Sequence, residues 1–97
     1  MISTHVLDTE QGAPRAGLKV ALYRGEELVS EQETDADGRI AELAPDGIEP
    51  DDHRLVFAVD GEFFRQLELT LSITDPDRHY HVPLLVAPYL CTTYRGS

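Results

Sequence analysis

From Gln66 to Ile73 the chain reads Gln-Leu-Glu-Leu-Thr-Leu-Ser-Ile, an unbroken alternation of polar and apolar residues. Successive side chains of an extended strand point to opposite sides, so Leu67, Leu69, Leu71 and Ile73 must share one face. The polar residues between them share the other, which is the pattern of a half-buried strand. Leu18–Tyr23 and His53–Val59 read the same way with less regularity. Turn formers separate these runs at Gln11-Gly12-Ala13-Pro14, Arg24-Gly25-Glu26, Asp35-Ala36-Asp37-Gly38, Pro45-Asp46-Gly47, Asp60-Gly61 and Asp75-Pro76-Asp77. Seven or eight short strands with turns at this spacing predict an all-β sandwich. Phe63-Phe64-Arg65 could begin one helical turn, but alternation resumes at once and no longer helix is expected.

At 97 residues the chain is expected to form a single domain over 1–97. A monomer of this size buries only about two-thirds of its unfolded surface, so association is a natural source of further stability. No apolar run approaches the roughly 20 residues that span a membrane, and the first residues lack the pattern of a secretory leader. A cytoplasmic protein is the expectation. Eighteen acidic against eight basic side chains give a net charge of −10. Such a surface repels phosphate backbones, which argues against nucleic-acid partners. An anionic substrate would need local positive charge at its site. A single cysteine, Cys91, excludes an intrachain disulfide and a multi-cysteine metal centre. It reads as a small half-buried residue or as a nucleophile.

Four histidines stand at 5, 53, 79 and 81. His79 and His81 are two apart on an expected strand, so their rings share a face. Three readings follow: two ligands of a metal with His5 as the third, an acid–base or orienting pair, or exposed histidines with no task. His53 has no such company. Asp35-Ala36-Asp37-Gly38-Arg39 reads as a turn leading into a strand, with Arg39 either a solvated edge charge or the local cation a site would need. The Asp35–Asp37 spacing matches the start of a calcium loop, but the glutamate at its far end is missing.

The chain's end, Tyr94-Arg95-Gly96-Ser97, follows the apolar segment His81–Tyr89 and is expected to be drawn onto the protein body, where a tail can line a pocket. Together with Ser3-Thr4-His5-Val6-Leu7-Asp8-Thr9, then Gly12, Pro14, Gly17 and Val20, it resembles the signature segments of the 5-hydroxyisourate hydrolases, the transthyretin-related family of urate breakdown. Asp37-Gly38-Arg39 resembles the family's central segment. His79-Tyr80-His81-Val82-Pro83-Leu84-Leu85, with Pro88-Tyr89 and Thr93 to Ser97, resembles its last. Two departures stand out. The stretch from Phe57 to Leu67 is shorter than usual, so the family's helix is expected to be short or absent. Ala87 and Cys91 replace a more usual serine and tyrosine.

The resemblance implies a transthyretin-like (prealbumin-like) sandwich assembled as a homotetramer, with active sites in the channel between dimers. It implies hydrolysis of 5-hydroxyisourate to 2-oxo-4-hydroxy-4-carboxy-5-ureidoimidazoline, without a metal or other cofactor. By position, His5, Arg39 and His81 correspond to the catalytic residues, and Tyr94, Arg95, Gly96 and Ser97 to the tail that binds substrate and closes the site. The carrier transthyretin has a similar fold but carries different residues at the three catalytic positions and lacks the tail. On this reading one of His5 and His81 is the general base and the other orients it or returns the proton. Ser97 serves as a hydrogen-bonding group, and His79 is a secondary candidate. The competing expectation from another class is a noncatalytic binder of small ligands in the same channel.

Overall fold

The computed structural model describes residues 1–96. The described residues form nine strands and no helix. They are β1 (Ile2–Asp8), β2 (Ala13–Pro14), β3 (Lys19–Arg24), β4 (Glu27–Glu33), β5 (Arg39–Ile40), β6 (Asp51–Phe57), β7 (Leu67–Ile73), β8 (Tyr80–Ala87) and β9 (Leu90–Thr93). The sequence pattern led to seven or eight. The difference lies in β2 and β5, which at two residues each are too short to leave an alternation.

One sheet runs β4-β3-β6-β7 and the other β2-β1-β8-β9, with β5 also paired to β1. The alternation read from the sequence is realised in β7, where Leu67, Leu69, Leu71 and Ile73 turn inward and Glu68, Thr70 and Ser72 are exposed. Val20, Leu22, Leu55 and Phe57 line the same sheet's inner side. From the second sheet Ile2, Val6, Ile40, Tyr80, Val82, Leu84 and Val86 close the core. Burying each such side chain contributes about 1.5–3 kcal/mol, which identifies the filling of this gap as what holds the two sheets together. Thr4 also points inward, and its hydroxyl donates to the carbonyl of Val82 at 2.6 Å.

The connection from β6 to β7 is a bare loop. It is closed by the amide of Asp60 donating to the Arg65 carbonyl and that of Gly61 to the Phe64 carbonyl, and no turn of helix forms at Phe63–Arg65. His53, without chemical company in the sequence, is buried in β6 with Nδ1 beside the Asp51 carbonyl at 3.1 Å.

Candidate active site

The strand that organises the candidate site is β1, which has a different partner along each edge. On one side it runs parallel to β8, with Ser3 opposite His81 and His5 opposite Pro83. On the other it runs antiparallel to β5, with His5 opposite Arg39. Residues opposite each other in a sheet project to the same face. Thr4, Val6, Val82 and Ile40 take the core side, so Ser3, His5, His81 and Arg39 all project from the outer face. Residues separated by up to 78 positions in sequence thus converge through register alone.

A tight turn supplies Arg39. The Asp35 carboxylate accepts hydrogen bonds from the amides of Asp37 and Arg39, both at 2.9 Å, and the Gly38 amide donates to the Asp35 carbonyl. Gly38 has φ of 75°, and a β-carbon there would stand 2.5 Å from the Val6 carbonyl oxygen. Only glycine lets the turn approach β1 this closely, and the Gly38 carbonyl accepts from the Val6 amide at 2.8 Å. The expected turn at Asp35–Gly38 is therefore also the device that sets Arg39 beside His5.

His79 precedes β8, and its ring lies 6.2 Å from that of His81, edge to face. Between them sits Ser3, whose hydroxyl oxygen is 2.7 Å from His79 Nε2 and 2.7 Å from His81 Nδ1. Nothing in the sequence pattern singled out Ser3. The available signal was its parity with His5 on one strand. A shallow depression of about 480 Å³ is lined by Met1, Ser3, Asp35, Arg39, His79 and His81, among others. Burial, reinforced by the nearby His79, Arg39 and His5, holds the His81 imidazole below the ordinary histidine pKa. His81 is therefore a neutral base at neutral pH. Among the described residues no group of three His, Cys, Asp or Glu is placed to hold a metal ion. Cys91 is half-buried against the core, and burial pushes its thiol pKa up, which disfavours the thiolate a nucleophile needs.

The tail runs beside β8. Leu84 pairs with Thr93 and His81 with Gly96, one continuous register. The Gly96 amide donates to the His81 carbonyl at 2.7 Å, and a β-carbon on Gly96 would lie 2.7 Å from Cδ2 of the His81 ring. Arg95 goes the other way: its guanidinium lies 4.7 Å from the ring centre of Tyr80, a residue of the core. Tyr94 is exposed and, with Arg95 and Tyr80, borders a cleft of about 360 Å³ against β7. Of the tail residues, Gly96 thus touches the histidine site, while the Arg95 side chain is held on the core side of β8. Ser97, expected to bind substrate, lies outside the described residues.

A family model described as the HIUase/Transthyretin family matches residues 2–96. The chain is similar to the 5-hydroxyisourate hydrolase of Pseudomonas aeruginosa, 38% identical over 115 residues that cover 99% of this chain and 90% of that protein. The aligned length exceeds the 97 residues of this chain, so that relative carries segments absent here. The structure of Klebsiella pneumoniae 5-hydroxyisourate hydrolase matches with a TM-score of 0.92 and 32% identity, over 99% of this chain and 98% of that one. Sea bream transthyretin, solved in complex with thyroxine, matches with a TM-score of 0.82 over 98% of this chain and 93% of that one. At 23% identity that likeness is one of fold alone.

Proposed function

The chain belongs to the HIUase/transthyretin family, and from that premise we propose that residues 1–97 form one 5-hydroxyisourate hydrolase domain working through His5, Arg39 and His81. The observation that carries the assignment of residues is the double pairing of β1, in which His5 opposes Arg39 and Ser3 opposes His81 on one sheet face.

The reaction opens a cyclic amide-like bond of an oxidised purine with water. It needs a base for the water and a donor for the negative charge that develops on the carbonyl oxygen. His81, neutral at neutral pH, takes the proton from water, and such help is typically worth about 10²–10⁴-fold. His5 orients the water or returns the proton to the leaving nitrogen. Arg39 holds the carbonyl oxygens in a planar fork and stabilises the oxyanion, a role worth roughly 2.7–4 kcal/mol. Its charge also offsets locally the net −10 of the chain. We assign the tail, Tyr94 through Ser97, to fixing the substrate ring and excluding bulk water, with Gly96 against His81 and Arg95 anchoring the segment over Tyr80. No metal or other cofactor enters this mechanism.

On a single chain the depression is open to solvent. We read the functional particle as a homotetramer in which a second dimer covers this face. Two features support that reading. Leu7, Leu85 and Ala87 remain half-exposed beside the polar trio, and β9 is an edge strand with Leu90 64% exposed. No described helix is long and apolar enough to cross a membrane. We place the enzyme in the cytoplasm, where its net negative charge favours solubility.

The test is an ultraviolet absorbance time course on freshly generated 5-hydroxyisourate, which decays unaided. Acceleration over buffer supports the hydrolase. Saturable binding of the purine without turnover would favour a noncatalytic ligand carrier.

A further inference from the structure

Ser3 is nearly covered and stands between two imidazoles, 2.7 Å from a nitrogen of each. A hydroxyl carries one proton. It can donate to one ring nitrogen and accept from an N–H on the other, but it cannot satisfy two bare nitrogens at once. The protonation of His79 and His81 is therefore coupled through Ser3. For His81 to act as a base at Nε2, its own proton must sit on Nδ1. Nδ1–H then donates to the Ser3 oxygen, and the Ser3 hydroxyl donates to Nε2 of His79.

We propose that Ser3 is a positioning residue that fixes His81 as the Nδ1–H tautomer and links it to His79 as a proton outlet. The proposal rests on the reading of His81 as the base. When Nε2 of His81 gains a proton from water, its Nδ1 proton moves to the Ser3 oxygen as the Ser3 proton moves to Nε2 of His79. No atom is gained or lost: the first proton of the water appears on His79, which is exposed and releases it to solvent. The second, left on the attacking oxygen, is the one His5 passes to the leaving nitrogen, so that the product is a carboxylate. The direction is physically sensible. A cation on His81 would be half-buried beside Arg39 and His5, whereas on His79 it meets water.

The groups facing His81 are spread over four elements: Ser3 and His5 on β1, Arg39 on β5 with Asp35 in the turn before it, His79 ahead of β8, and the Gly96 backbone from the tail. Among the described residues, Ser3 alone lies within hydrogen-bond distance of Nδ1. That makes the hydroxyl the point at which the tautomer can be set.

The test compares wild type, Ser3→Ala, Ser3→Thr, His79→Ala and His81→Ala by steady-state kinetics and by ¹⁵N NMR of the imidazoles. Loss of the partner that orients a metal-bound histidine costs about 10–100-fold, and the same scale is taken for Ser3 and His81. Ser3→Ala is expected to lower kcat by that factor with KM within about twofold, and Ser3→Thr, which keeps the hydroxyl, to restore most of it. In wild type the His81 ring should report Nδ1–H, and in Ser3→Ala a mixture of tautomers. Adding His79→Ala to Ser3→Ala should cost little more, because both break one chain. An Nε2–H tautomer at His81 in wild type would overturn the proposal. So would full kcat in Ser3→Ala while His81→Ala is inactive. Full turnover by His81→Ala would instead remove the base assignment itself, a distinct outcome.

Discussion

Gly96 lies directly against the imidazole of His81, close enough that a single added methyl would sit 2.7 Å from Cδ2. The tail and His81 are thus one packed unit, tied also by the hydrogen bond from the Gly96 amide to the His81 carbonyl. Gly96→Ala cannot be accommodated unless the ring shifts, and the ring is the movable partner. The expected result is an unchanged melting temperature, within about 0.5 kcal/mol of stability, with turnover lowered at least tenfold. Undiminished turnover would mean that the ring position is not critical.

Gly38 makes the opposite kind of contact, because its neighbour is backbone. A β-carbon there would meet the Val6 carbonyl at 2.5 Å, and φ of 75° is itself unfavourable for alanine by roughly 1–2 kcal/mol. Gly38→Ala should therefore destabilise the fold by more than about 2 kcal/mol in chemical denaturation. It should also reduce activity through Arg39. A variant as stable as wild type would show that the turn can move away from β1.

The histidines give the pH dependence a sign. Burial, then His79, Arg39 and His5, hold His81 below the ordinary value of about 6.5. The neutral form, which the proposed mechanism requires, persists to lower pH than an exposed histidine would allow. The acid limb of kcat should have its midpoint below 6.5, and His79→Asn, which removes one repelling charge, should move that midpoint upward. The same shift acts on stability. The unfolded chain takes up the proton first, so the His81 contribution is intact above about 6.5 and is lost as pH falls toward the folded value.

Arg95 anchors the tail from the other side of β8. Its guanidinium over Tyr80 at 4.7 Å is worth about 0.5–1 kcal/mol at an exposed site. Arg95→Ala should lower stability by no more than that, yet make the bond after Tyr94 more open to protease and reduce kcat/KM. Arg95→Lys should recover only part, because it lacks the planar group that stacks. Protease resistance in Arg95→Ala equal to that of wild type would separate Arg95 from tail docking.

Much of this was legible in residue patterns. The Leu67–Ile73 alternation, the shared face of His79 and His81, and the turn at Asp35–Gly38 are local, and local periodicity carries them. The meeting of His5 with Arg39 is not local. It depends on a two-residue strand, β5, that leaves no periodic trace, and family resemblance rather than patterning brought those residues together. Ser3 was missed for a different reason. A serine before a histidine is unremarkable until a parallel strand from the far end of the chain sets His81 opposite it. Alternation was not carried into the tail: the Arg95 side chain packs over Tyr80 while its neighbour Gly96 lies against His81.

The most direct measurement follows 5-hydroxyisourate absorbance for wild type, His81→Ala and buffer, with oligomer size checked for both proteins. The account predicts wild-type decay well above buffer and a loss of at least about 100-fold in His81→Ala. Equal decay in wild type and buffer, or in wild type and His81→Ala, would contradict it.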